Sequence, residues 1–126
     1  MVRCNEYKYV DPGHLNEMAN GEDDFILQVI ELFLAAMPDN TCMLTETVAG
    51  DNYPEIIFYT HKIRGSLNFI GAPQLIDILD KIDELCEAQT GLPEIRILAT
   101  EVLAISTEII TELHDVKQQL MTASAK

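Results

Sequence analysis

A histidine, two cations and a glycine stand close together near the middle of the chain, in the run His61-Lys62-Ile63-Arg64-Gly65. On a helix, Gly65 lies one turn beyond His61 and on the same side. Glycine inside a helix costs about 1 kcal/mol relative to alanine, so a glycine at this position needs a compensating advantage. Open space beside the imidazole is the simplest advantage, and Lys62 and Arg64 supply positive charge close to it.

The residues around this run repeat at three- and four-residue spacing, which predicts a helix with one buried face made of Ile56, Thr60, Ile63, Leu67 and Ile70. At about 100° per residue, His61 falls roughly 140° from the centre of that face. The outer face also carries Ile57, one turn before His61, and Asn68, two turns after it. The imidazole is therefore predicted to be exposed on a rigid helix, which suits group transfer better than a loop does.

The neighbours of His61 discriminate between the chemistries open to an exposed imidazole. A hydrolase would need a nucleophile beside it, but Ser66 lies on the opposite side of the predicted helix. A metal site would need a second histidine three or four residues away, and positions 57, 58, 64 and 65 have none. Phosphoryl acceptance needs one exposed nitrogen, nearby positive charge and room for the donor. The pattern therefore favours phosphotransfer.

The net charge of the chain limits the classes of partner that it can bind. The sequence has 126 residues, with 8 Lys and Arg against 21 Asp and Glu, and its formal net charge is −13. Such a chain repels phosphate backbones and anionic lipid, so we expect neither nucleic acid nor a membrane surface as a partner. Solubility alone also accounts for this charge.

The cysteines and the apolar segments indicate a compartment. Cys4, Cys42 and Cys86 are odd in number and widely spaced, which favours a reducing environment over disulfides or a zinc site. The amino terminus has no apolar segment typical of a signal peptide. The longest apolar stretch, residues 25–37, is interrupted by polar residues and is too short to span a bilayer. We therefore expect a soluble cytoplasmic protein.

Cap and turn signals divide the chain into five helical blocks, at residues 10–20, 22–50, 51–71, 73–90 and 93–122. Pro38 predicts a kink in the second block. Four blocks are long and amphipathic, their connections are short, and no segment alternates with a period of two. The sequence thus predicts an all-α fold in one domain over residues 1–126, an antiparallel four-helix bundle with a short additional N-terminal helix.

The run from His61 to Ser66, followed by Gly71-Ala72, resembles the signature of the histidine-containing phosphotransfer (HPt) domain of two-component phosphorelays. In that signature the histidine is followed, at its second to fifth positions, by an apolar residue, a lysine, a glycine, and a serine or alanine. The resemblance extends from about residue 15 to 120 and includes a second helix rich in Phe and Leu. It implies a four-helix bundle with a short extra N-terminal helix.

The resemblance also implies roles for single residues. His61 would be the phosphoacceptor, Arg64 the cation near the phosphoryl group, and Gly65 the gap that admits the partner. In the family a Gln or Glu on the following helix often bonds the other ring nitrogen, and Asp83 stands at that position. Two departures follow: Arg64 replaces the usual lysine, and the shorter Asp83 leaves a direct contact with His61 open. The positive charge of Lys62 is as consistent with a functional role as with simple exposure to solvent.

The apolar residues Ile57, Phe33 and Met37 near His61, together with the polar Asn68, suggest a docking surface for a partner. Alternatively, these side chains only cover the hydrophobic core.

The combined pattern predicts a monomeric phosphorelay intermediate without kinase activity of its own. It would take a phosphoryl group from the aspartyl phosphate of a receiver domain, in a response regulator or a hybrid histidine kinase, and pass it to another. We expect no cofactor on this chain and Mg²⁺ on the receiver. The alternative function is a helical module that binds or sequesters a receiver domain without carrying phosphate.

Overall fold

The computed structural model describes residues 7–50 and 52–124, and within these ranges the chain forms five α-helices. Their bounds are α1 Pro12–Met18, α2 Asp23–Ala49, α3 Tyr53–Ser66, α4 Pro73–Glu87 and α5 Leu92–Ser124. Each predicted block corresponds to one of these helices, and α5 extends beyond its block at both ends. Cys4 and the amino-terminal stretch considered for a signal peptide lie outside the described residues.

The four long helices close into a ring around one core. α2 packs against α3 and α5, and α4 packs against the same two helices. Because consecutive helices are neighbours joined by short connections, they run antiparallel. The core is almost entirely aliphatic and draws on every helix, through residues such as Leu15, Ile30, Ile63, Leu79 and Val102. The predicted bundle with its short N-terminal helix is confirmed.

Capping side chains fix where α1 and α3 begin. Asp11 Oδ1 accepts the backbone N–H of His14, and Asn52 Oδ1 accepts that of Glu55, each at 3.1 Å. A proline stands in the first turn of both helices, where its missing N–H costs nothing. The start of α3, which carries the histidine motif, is therefore determined by local sequence.

The segment before α1 crosses the end of the bundle and ties α5 to the connection after α3. One carboxylate oxygen of Glu112 accepts the backbone N–H groups of Tyr9 and Val10, at 3.1 and 3.0 Å. Val10 also forms an isolated antiparallel bridge with Gly71. Gly71 has a φ of +96°, which side chains rarely tolerate, and an added Cβ would lie 3.3 Å from the Cβ of Asp11. Glycine is required at this crossing.

The end of α3 differs in detail from the sequence pattern. α3 ends at Ser66, earlier than the predicted block, yet Leu67 and Ile70 in the following turns are fully buried. The buried face thus continues past the helix end. α2 runs through Pro38 as one helix, and the proline nitrogen has no hydrogen to donate to the carbonyl of Leu34. The kink at Pro38 stays a prediction.

Among the described residues, α2 is the one helix long and apolar enough to cross a membrane by length and composition. The helix extends over 27 residues, beyond the apolar stretch of residues 25–37, and includes interspersed polar positions. This is weak evidence for a span, because the core helix of a soluble bundle meets the same criteria. One side of α2 is buried against α3 and α5, with Ile26, Ile30 and Leu44 in the core.

Candidate functional site around His61

The rotation of α3 about its axis places His61 in solvent. Ile56, Thr60 and Ile63 are fully buried and face the bundle interior, as the spacing predicts. The side chain of His61 is 61% exposed. The imidazole is therefore accessible to a macromolecular partner while its backbone is held within a packed helix.

Gly65 leaves open space beside the imidazole. A Cβ built at this position would meet no heavy atom within 4 Å, apart from its own helix backbone and chain neighbours. Gly65 also borders an apolar groove of about 290 Å³ between α2 and α3, whose walls include Val29, Leu32, Phe33, Ala36 and Phe69. Leu32 stands at this groove with 67% of its surface exposed. The glycine thus joins the histidine to an apolar surface without a side chain between them.

Asp83 of α4 faces His61 from the other side. Its Oδ2 lies 3.4 Å from Nε2 of His61, a distance that allows strong electrostatic interaction but exceeds an ordinary hydrogen bond. The Asp83 side chain is largely buried between α3 and α4, whereas the imidazole is exposed. The contact that the sequence left open is therefore present, and Asp83 approaches one ring nitrogen.

Two other polar groups converge on Asp83. The hydroxyl group of Thr60 donates a hydrogen bond to Oδ1 of Asp83. Arg64 Nη2 donates to Oδ2 of Asp83 at 2.6 Å and to Oδ1 of Asp80 at 2.7 Å. Partial burial opposes the charge of Arg64, but its bonds to the two carboxylates outweigh this and raise the pKa of the guanidinium.

This arrangement refines the expectation for Arg64. Its guanidinium lies on the α4 side of His61 and is already paired with two carboxylates. An arriving phosphoryl group would have to compete with both carboxylates for it. The sequence predicted a cation here but missed the pair with Asp80, for which the only signal is an acid three residues before Asp83 on the same helix face.

The second predicted cation, Lys62, lies over aromatic rings. Its Nζ is 5.1 Å from the ring centroid of Phe58 and 5.9 Å from that of Tyr59, within the range of cation–π attraction. The two rings meet edge to face at 5.1 Å, and Phe58 is more than half exposed. Lys62 therefore supplies an exposed positive charge on the flank of His61 away from Asp83.

The predicted docking residues divide into three groups. Asn68 is exposed and Ile57 is partly buried, so both can contribute to a contact surface. Phe33 is 3% exposed and forms part of the groove wall. Met37 is fully buried, so its inclusion in the docking surface was wrong. Met37, one turn after Phe33, faces the bundle interior. The exposed Leu32, which the sequence pattern did not identify, lines the groove instead. The signal available in the sequence for Leu32 was an apolar residue next to the buried face of α2.

The other histidines have separate surroundings. Nε2 of His14 donates to the backbone carbonyl of Asn68 at 2.6 Å, which ties α1 to the turn after α3. His114 is exposed on α5. In the part of the chain that the structure describes, no group of three or more His, Cys, Asp or Glu side chains could hold a metal ion.

Comparison with known proteins identifies relatives of this arrangement. The family model described as the Hpt domain matches residues 28–120, which include His61, Gly65 and Asp83. A solved HPT domain from a sensor hybrid histidine kinase of Shewanella superposes with a TM-score of 0.76 at 16% sequence identity. That match covers 87% of this chain and 94% of the other, and at this identity it shows the shared fold. A search of curated proteins finds no significant match.

Proposed function

Because this chain belongs to the Hpt-domain family, which carries phosphoryl groups in two-component signalling, we propose that it is a phosphorelay intermediate acting through His61. Hpt domains are phosphotransfer carriers and work with receiver domains of response regulators. In this proposal His61 takes a phosphoryl group from the aspartyl phosphate of one receiver and passes it to the aspartate of another. The observation that supports it most is the exposed imidazole between an open glycine and a carboxylate.

The transfer step needs a neutral imidazole with one free lone pair. That lone pair attacks phosphorus, the N–P bond forms, and the P–O bond to the receiver aspartate breaks, so that the carboxylate leaves with the electron pair. The other ring nitrogen keeps its hydrogen, and the ring becomes formally cationic as the bond forms. Asp83, 3.4 Å from one nitrogen, faces that developing charge. A carboxylate fixed there stabilises the transition state more than the neutral ground state.

The remaining charges divide between this chain and its partner. Lys62 is free to turn from its aromatic neighbours toward the acidic pocket of a receiver, while Arg64 stays paired with the α4 carboxylates. The Mg²⁺ that an aspartyl phosphate site uses would be held by the receiver, and this chain needs no cofactor of its own. Without a kinase domain as phosphodonor partner, it would not make phosphohistidine from ATP.

The surface that meets the receiver would be the groove beside Gly65 together with the outer face of α3. It offers Leu32, Phe69 and Ile57 as apolar contacts and Asn68 as a polar one. Apolar contact of this kind lets docking proceed despite the net charge of −13. We place the protein in the cytoplasm as a monomer that forms transient complexes.

The test is a transfer experiment with a receiver domain that carries a radiolabelled aspartyl phosphate. Wild-type protein should acquire label that is labile in acid and stable in base, and His61→Gln should acquire none while keeping its helical circular dichroism. His114→Gln, an exposed histidine elsewhere on the bundle, is the matched control and should label normally. Label that persists in His61→Gln rejects His61 as the acceptor. Receiver binding without any label would favour the non-phosphorylated binding module.

A further inference from the structure

The carboxylate of Asp83 is held from two sides, and each holder lies on α3 next to the histidine. We propose that Thr60 and Arg64 are positioning residues, which fix the Asp83 carboxylate in the orientation that serves phosphoryl transfer at His61. This proposal rests on the proposed function. It assigns a functional role to Thr60, which the sequence pattern places on the buried face of the helix.

Thr60 is fully buried, and its hydroxyl has two possible acceptors. Oγ1 lies 2.9 Å from the carbonyl oxygen of Ile57 and in closer contact with Oδ1 of Asp83. A hydroxyl has one hydrogen to donate, and a bond to an ionised acceptor is stronger than one to a neutral carbonyl. The Ile57 carbonyl already accepts within the helix. The hydroxyl hydrogen therefore goes to Asp83.

Arg64 completes the hold on the second carboxylate oxygen. Its Nη2 bonds Oδ2 of Asp83, the same oxygen that faces His61, and Oδ1 of Asp80 on the preceding turn of α4. With Thr60 on Oδ1 and Arg64 on Oδ2, the carboxylate cannot rotate without breaking a bond. The fixed side chain of α4 thus keeps one oxygen directed at the ring.

The charge balance of this cluster explains why positioning matters. One guanidinium and two carboxylates leave a net charge of −1 beside the imidazole. The Asp83 side chain is short, and its closest approach to the ring is already 3.4 Å, so a small rotation would increase that distance. Since the interaction falls with distance, loss of either holder should weaken the stabilisation of the cationic ring.

The proposal predicts a specific effect of Thr60→Val, which keeps the shape of the side chain and removes the hydroxyl. Single-turnover transfer from a phosphorylated receiver should slow by about tenfold at saturating receiver, with the half-saturating receiver concentration unchanged. Thr60→Ser restores the hydroxyl and should recover most of the rate. Thr41→Val is the matched control, because Thr41 is buried on α2 and its hydroxyl lies within hydrogen-bond distance of the backbone carbonyls of Met37 and Pro38.

A second measurement is independent of transfer. The ¹⁵N shifts of the His61 ring report which nitrogen carries the proton. In wild type the nitrogen facing Asp83 should be the protonated one, and Thr60→Val should move the tautomer populations toward those of free imidazole. Wild-type populations and rate in Thr60→Val would overturn the positioning role. If Thr60→Val shows the expected tautomer change but wild-type protein takes no label at His61, the positioning role stands and the proposed function is rejected.

Discussion

Gly65→Ala separates what glycine does for transfer from what it costs the fold. An added Cβ would meet no heavy atom within 4 Å outside its own helix and chain neighbours, so the methyl group fits the folded state. Alanine is the better helix former, and the free energy of unfolding should rise by up to about 1 kcal/mol. For 126 residues with an unfolding entropy of about 2.1 cal/mol/K each, that is an increase in Tm of up to about 4 °C.

The same methyl group stands at the approach to His61, one turn away along α3. It should keep the receiver from its closest position, so we expect the transfer rate to fall by about tenfold, equivalent to about 1.4 kcal/mol in the barrier. Thermal unfolding followed by circular dichroism and rapid-quench transfer kinetics measure the two effects on one preparation. Gly50→Ala is the control, since an added Cβ there makes only an ordinary 3.5 Å contact at the end of α2 and should leave transfer unchanged.

Two results would refute the reasoning. Full transfer rates in Gly65→Ala would remove the steric explanation for glycine beside the imidazole. A fall in Tm would show that the space at Gly65 is not open in the folded protein. The combination of higher stability and slower transfer is hard to obtain from a general defect, because misfolding lowers both.

The remaining predictions concern charge, docking and pH. Asp83→Asn removes the carboxylate charge at constant shape and should slow transfer by roughly tenfold to a hundredfold in single-turnover kinetics, whereas Asp77→Asn, exposed on the same helix, should have little effect. Leu32→Asp should weaken receiver binding in titration calorimetry without lowering stability, and Ile97→Asp, at 63% exposure outside the groove, is its control. Burial, with a smaller contribution from the charge of Asp83, raises the pKa of the Cys86 thiol from 9.0 to about 11. The folded state therefore holds this proton more tightly than the unfolded chain does. The stability that the protonated thiol contributes is complete below pH 9 and is lost as the pH rises from 9 to 11. Denaturant unfolding should show a loss of about 2 to 3 kcal/mol over this range in wild type, and Cys86→Ala should lack that loss.

Each of these has a clear contrary outcome. Wild-type kinetics in Asp83→Asn would mean that the carboxylate does not act on the imidazole. Equal binding losses in Leu32→Asp and Ile97→Asp would show a general effect of negative charge and not a local surface. Parallel pH profiles for wild type and Cys86→Ala would mean that the thiol ionises as readily in the folded chain as in the unfolded one.

Most of the bundle follows from the sequence because apolar spacing specifies which helix faces are buried. The stripe of Ile56, Ile63 and Leu67 fixes the rotation of α3, and that rotation alone exposes His61. Helix spacing gives no information on contacts across helices. The convergence of Arg64 and Asp80 depends on how α3 and α4 pack, so it appears only in the three-dimensional structure.

The errors have the same physical origin. Met37 and Leu32 are both apolar residues of α2, and the sequence does not say how wide a buried face two neighbouring helices will cover. In the bundle, where α2 packs against α3 and α5, Met37 is completely buried and Leu32 is exposed.

The position of the phosphoryl group on the labelled protein tests the central claim most directly. After transfer from a phosphorylated receiver, digestion under alkaline conditions and mass spectrometry can distinguish the peptides that contain His14, His61 and His114. Phosphate on the His61 peptide alone is the predicted result. Phosphate on either of the other two histidines, or none on any histidine while the receiver loses its label only to water, would contradict it.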